Sequence, residues 1–142
     1  MKVMKHGLGV LVLAAATVTG VAPTPAGAAS RSAAGPCGSG YSRVGVYAIP
    51  SYDKRTGTLE VHYSSSTGKN CALAYGYGPY YGTKSWKRVT ISKADGSGEH
   101  TDANEYEYYA GPVYVSAPGQ CIDVAGTVPA WTTTELNNVH CG

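Results

Sequence analysis

The chain has 142 residues, 11 of them basic and 9 acidic, and only 14% are charged. Lys2 and Lys5 account for the whole excess, so from Ala29 onward nine cations (11 − 2) face nine anions. Such a balance offers no general field for gathering nucleic acid or an anionic membrane, and the length fits one domain.

Lys2 and Lys5 precede an apolar stretch from Leu8 to Val18, and Ala26-Gly27-Ala28 places small residues before Ala29. This is the pattern of a secretory signal peptide over 1–28. The apolar run is short for a bilayer, so no membrane span is expected after cleavage. Residues 29–36 read as a flexible N-terminal arm, and 37–142 as a single domain. After the leader that domain holds three Leu, three Ile and nine Val, with no Phe but twelve Tyr and two Trp. A core so thin calls for covalent support. Cys37, Cys71, Cys121 and Cys141 can supply it, because export implies an oxidising compartment and spacings of 34, 50 and 20 contain no CxxC metal pair. Three pairings are open. Cys37 with Cys71 and Cys121 with Cys141 is favoured because it closes two modest loops.

From Tyr41 to Ile49 an extended chain puts Val44, Val46 and Ala48 on one face and Arg43 and Tyr47 on the other. Thr58 to Ser64 alternates clearly, with Leu59, Val61 and Tyr63 opposite Glu60 and His62; after the turn at 65–68, Asn70 to Tyr75 places Cys71, Leu73 and Tyr75 together. The segment Gly76 to Gly82 is too rich in Gly and Pro for a strand and reads as an exposed loop. Ser85 to Lys93 returns to a strand, and Ala94 to Asn104 is a polar break. Glu105 to Tyr109, Pro112 to Ala117, Gln120 to Ala125 and a weak Trp131 to Val139 complete the set. No window makes a capped amphipathic helix. The fold class is therefore all-β: a small antiparallel sandwich or barrel of seven to eight short strands with two disulfides.

The blocks CGSGY at 37–41, SSSTGKNCALAY at 64–75, YYAGPVYVSAPGQCIDVAG at 108–126 and HCG at 140–142 resemble the spore-associated proteins of Streptomyces and related actinomycetes. They run in order and include all four cysteines. The resemblance implies a small exported protein found with aerial hyphae or spores, and it carries over no enzymatic activity. The stretch from Gly76 to Asp102 departs most from the pattern. The string GQCIDVAG at 119–126 also resembles a segment of ricin-type β-trefoil lectins, in which an Asp contacts sugar; the QxW repeat and a threefold period are missing, so Asp123 reads as a turn-side residue.

Tyr77, Tyr80, Tyr81 and Trp86 are the candidate ligand contacts, because flat rings with polar edges suit sugars and the surrounding glycines leave them accessible. The plainer alternative is that tyrosine replaces phenylalanine in a thin core. Glu105 and Glu107 would lie about 7 Å apart on one strand face, a spacing that overlaps the carboxylate pairs of inverting glycosidases, but neither a cleft nor a displaced pKa is legible. The sets Glu60/His62 and Glu99/His100/Asp102 offer too few ligands for a metal, and no cofactor motif occurs. His140 beside an oxidised Cys141 is no nucleophile pair. The reading is a secreted, non-catalytic spore- or cell-surface protein whose partner is a wall or spore-surface polymer, carbohydrate first. A secreted protease inhibitor is the alternative, and a weak hydrolase the third.

Overall fold

The computed structural model describes residues 34–142 and the single residue Gly20. The expected leader, 1–28, and most of the expected arm, 29–36, lie outside the described residues. Among the described residues, eight strands form two four-stranded antiparallel sheets. They are β1 (Ser42–Ile49), β2 (Gly57–Ser64), β3 (Lys69–Gly76), β4 (Ser85–Lys93), β5 (His100–Tyr106), β6 (Tyr109–Ser116), β7 (Ile122–Thr127) and β8 (Thr133–Val139). One sheet runs β1-β2-β3-β6 and the other β5-β4-β7-β8. The chain changes sheet after β3, at the short turn between β5 and β6, and after β6. Of the two architectures expected, the sandwich is the one formed.

Alternation explains what fills it. Leu59 and Val61 of β2, Val89 and Ile91 of β4, Val113 and Val115 of β6, and Ile122 and Val124 of β7 all point between the sheets and are buried. Each such side chain contributes about 1.5–3 kcal/mol by leaving water. Small residues at Ala72, Ala74 and Gly126 let the layers approach; a Cβ on Gly126 would stand 2.7 Å from Ile49 Cδ1.

The opposite face of β3 builds a second cluster outside the sandwich. Cys71 and Leu73 are fully buried there with Cys37, beneath Tyr41, Tyr75, Tyr109 and Tyr114. The tyrosines thus roof an outer face that phenylalanine could not leave wet at its rim, and the Tyr114 hydroxyl donates to the Cys37 carbonyl at 3.0 Å. Cys37 is bonded to Cys71 and Cys121 to Cys141, the expected pairing.

Three local expectations are corrected. In β1, Val46 pairs with the outward Glu60 and Tyr47 with the buried Leu59, so Val44 and Val46 are exposed while Tyr47 packs on the core. A register shift between Arg43 and Gly45 puts Arg43 beside Glu60 instead of on Tyr47's face. The polar break is shorter than its composition suggests. His100–Tyr106 is an edge strand paired only with β4, where a polar sequence can still satisfy a ladder. The expected strand across Glu105–Tyr109 is instead the reversal between β5 and β6, with Glu107 and Tyr108 in the turn.

Candidate functional site: an aromatic end and its cleft

Because every successive strand reverses direction, four loops gather at one end of the sandwich: 50–56, 77–84, 107–108 and 128–132. All six exposed large aromatic side chains among the described residues belong to this end: Tyr52, Tyr77, Tyr81, Trp86, Tyr108 and Trp131, with Trp86 the second residue of β4. Tyr52 and Trp131 are 80% and 88% exposed, well beyond what packing needs. The loops at the opposite end, at 65–68, 94–99 and 117–121, contain no aromatic residue.

Backbone and side-chain hydrogen bonds hold the aromatic end together. Thr56 Oγ1 donates to the Val128 carbonyl, and Tyr77 N–H donates to the Thr56 carbonyl at 2.9 Å. Gly76 N–H reaches the Tyr108 carbonyl at 2.9 Å, and Gly82 N–H reaches the Glu107 carbonyl at 3.0 Å. Lys87 is fully buried beneath these loops, where its ammonium donates to Ser85 Oγ at 2.7 Å, the Tyr106 carbonyl at 2.6 Å and the Thr83 carbonyl at 3.3 Å. Burial pushes its pKa below the usual 10.5. Three acceptors match the three N–H donors, so Lys87 ties the 77–84 loop to the end of β5. The sequence does carry this signal: Trp86 and Arg88 point outward, which leaves Lys87 on the face of Val89 and Ile91.

Beside this end, an open cleft of about 620 Å³ runs along the outer face of the β1-β2-β3-β6 sheet. Tyr77 and Tyr81 form its lip, Tyr75 and Glu60 lie within it, and Arg43 and Arg55 flank it. Arg55 stacks its guanidinium 4.3 Å from the Tyr77 ring centre and donates from Nη2 to Thr58 Oγ1. The Glu60 carboxylate accepts from Arg43 Nη1 at 3.2 Å and pairs with His62 Nε2 at 2.9 Å. Burial, and next the negative charge of Glu60, push the Tyr75 phenol up to about 12, so it stays a neutral donor at any ordinary pH. The arrangement combines aromatic rings with fixed donors and acceptors, which is binding chemistry.

The structure divides the four sequence-derived contacts. Tyr77 and Tyr81 stand together at the cleft, and Trp86 is exposed at the same end but on the outer face of the other sheet. Tyr80 does not belong with them, because the 3-10 turn Gly78–Tyr80 folds it inward to pack on the core. Gly76 makes that turn possible, since a Cβ there would lie 1.8 Å from the Tyr80 carbonyl oxygen. The loop expected to be wholly exposed is therefore half anchored. Tyr75, Arg55 and Tyr108 were missed, being placed at the site by pairing and loop closure.

The remaining candidates are occupied elsewhere. With Glu107 in the turn, Glu105 and Glu107 do not share a strand face. Asp102 accepts from the Tyr106 hydroxyl at 2.6 Å and from Gly111 N–H at 2.7 Å, while Asp123 accepts from Asn138 N–H at 2.9 Å. His140 pairs its Nε2 with the Tyr47 hydroxyl at 2.8 Å, and burial lowers its pKa. Among the described residues no cluster of three or more His, Cys, Asp or Glu side chains is placed to hold a metal.

Spore-associated protein A of Streptomyces coelicolor is 37% identical over 128 residues, which is 88% of this chain and 76% of that protein. The chain belongs to the spore-associated protein family. An alignment of that length runs through most of the sandwich, as the sequence blocks around the cysteines implied. No family model matches the chain. No solved structure matches it either.

Proposed function

We propose that the protein is a non-catalytic component of the outer envelope, at the spore or cell surface, and that its aromatic end holds it there by binding carbohydrate. The observation that carries this reading is the segregation of every exposed aromatic ring to one end, beside a cleft that supplies polar groups. The name of the relative in Streptomyces coelicolor and the two disulfides support the location. Sugars offer apolar ring faces to aromatics and hydroxyls to charged partners. Tyr77, braced by Arg55, offers a ring to stack on, Tyr75 a neutral donor, and Glu60 an acceptor oriented by Arg43 and His62.

The test is sedimentation with purified wall and spore-coat polysaccharides, together with a glycan array, comparing wild type with Tyr77→Ala/Tyr81→Ala. Tyr80 is left intact because it packs inward. Loss of two stacking rings, each worth about 0.5–1.5 kcal/mol, weakens binding by about fivefold or more. Lys93→Ala, at the opposite end, binds as wild type. Absence of wild-type binding, or equal binding by wild type and the double variant, overturns the reading.

A further inference from the structure

The sequence has twelve tyrosines and no phenylalanine. Some of their hydroxyls have structural work: Tyr47 with His140, Tyr106 with Asp102, and Tyr114 with the Cys37 carbonyl. The pair Tyr81 and Tyr108 is different. Their ring centres are 5.1 Å apart with an interplanar angle of 66°, and the side chains are 56% and 45% exposed. Neither hydroxyl hydrogen-bonds to another described residue. Both rings are open to a reagent from solvent, and both face each other across two loops.

Those loops hold the pair in place. Gly76 N–H to the Tyr108 carbonyl and Gly82 N–H to the Glu107 carbonyl bracket it on either side, so the rings remain neighbours while each keeps the freedom of an exposed side chain. Groups fixed this way react as if at very high effective concentration. For phenols, the reaction that exploits such proximity is radical coupling. We propose that Tyr81 and Tyr108 form an oxidative coupling site, at which a haem peroxidase acting with hydrogen peroxide joins the two rings by a carbon–carbon bond.

Each phenol gives up one electron and one proton, and the two phenoxyl radicals join through ring carbons ortho to oxygen. Each joined carbon then loses its hydrogen as the phenols re-form. Two tyrosines and one hydrogen peroxide thus become one dityrosine and two waters, with the peroxide reduced and the rings oxidised. The product staples the 77–84 loop to the β5–β6 turn and fixes the lip of the cleft. Tyr75 and Tyr109 have a similar separation of 5.2 Å, but both are partly buried in the outer cluster and so are less open to the oxidant than Tyr81 and Tyr108. The coupling does not depend on what the cleft binds.

The experiment treats the disulfide-bonded protein at low concentration with horseradish-type haem peroxidase and hydrogen peroxide. Dityrosine fluorescence, gel filtration, intact mass and fragmentation of cross-linked peptides are the readouts. The expected product is a monomer lighter by two hydrogen atoms, with its cross-link mapped to Tyr81 and Tyr108. Tyr81→Phe and Tyr108→Phe, each checked for native circular dichroism, both abolish the monomeric product. Tyr52→Phe, which alters a more exposed tyrosine outside the pair, leaves it intact. Coupling confined to covalent dimers, a link mapped to other tyrosines, persistence of the monomeric product in either pair variant, or no dityrosine at all overturns the proposal.

Discussion

Gly126→Ala probes the contact on which the close approach of the two sheets depends. The added methyl would meet Ile49 Cδ1 at 2.7 Å and Leu59 Cδ1 at 3.2 Å, whereas unstrained carbons sit about 3.5–4.0 Å apart. Gly126 pairs with Val89 and Thr134 inside a strand, so backbone conformation does not forbid alanine there. Overpacking of this kind costs about 1–3 kcal/mol, offset by about 0.4–1 kcal/mol from the stiffer unfolded chain. The expected net loss is about 1–2 kcal/mol. Ile49→Val alone costs about 0.5–1.5 kcal/mol, yet it removes the very Cδ1 atom that alanine would strike. Combined, the two substitutions destabilise less than their sum, by about 1 kcal/mol, because the new methyl occupies part of the space vacated. Urea unfolding followed by circular dichroism reads all four proteins, with the disulfides kept oxidised and the slopes compared so that differences in midpoint report stability. Gly126→Ala as stable as wild type, or costs that add within about 0.3 kcal/mol, would refute the packing argument.

Replacing Cys37 and Cys71 by alanine together removes a cross-link closing 34 residues, and replacing Cys121 and Cys141 removes one closing 20. Chain entropy assigns roughly 3–4 kcal/mol to each, but the first pair also lies in the buried outer cluster with Leu73, so its removal lowers the urea midpoint more; equal losses would count against that cluster. In alkali, Tyr75 keeps its proton to about 12 in the folded protein while the unfolded chain releases it near 10.0, so stability falls as pH rises across that window. Tyr106 and Tyr114, also raised, act in the same sense, whereas Lys87, lowered by burial, opposes them. The contribution of Tyr75 stays below the full 1.4 kcal/mol per pH unit because its face is partly open, and Tyr75→Phe flattens the fall in denaturation curves measured between pH 9 and about 12. An unchanged slope in that variant would remove Tyr75 from the account.

Much of the architecture is local and so was readable from the chain. Alternation in Leu59-Glu60-Val61 and in Val89-Thr90-Ile91 marks strands because the side-chain period is two, and even cysteine number with modest spacing favours two sequential disulfides. The tyrosine-rich segment after β3 also announced itself by composition. What failed were features decided by partners far away in sequence. The register of β1 against β2 turned Val44 and Val46 to solvent, and pairing with β4 drew the polar His100–Tyr106 into a strand.

The cleft shows the same division. Residue types at Tyr77 and Tyr81 suggested binding, but only the return of β3 against β2 brings Tyr75 beside Glu60, and only loop closure sets Arg55 over Tyr77. Tyr80, next to the exposed Tyr81 in sequence, is turned against the core by a single tight turn. By itself the sequence determined the all-β class, most of the strands, the presence of two cross-links and the family, since these rest on side-chain period, cysteine number and ordered identity. Tertiary structure alone decided that the exposed rings share one end, because strand direction and loop placement are collective properties of the two sheets.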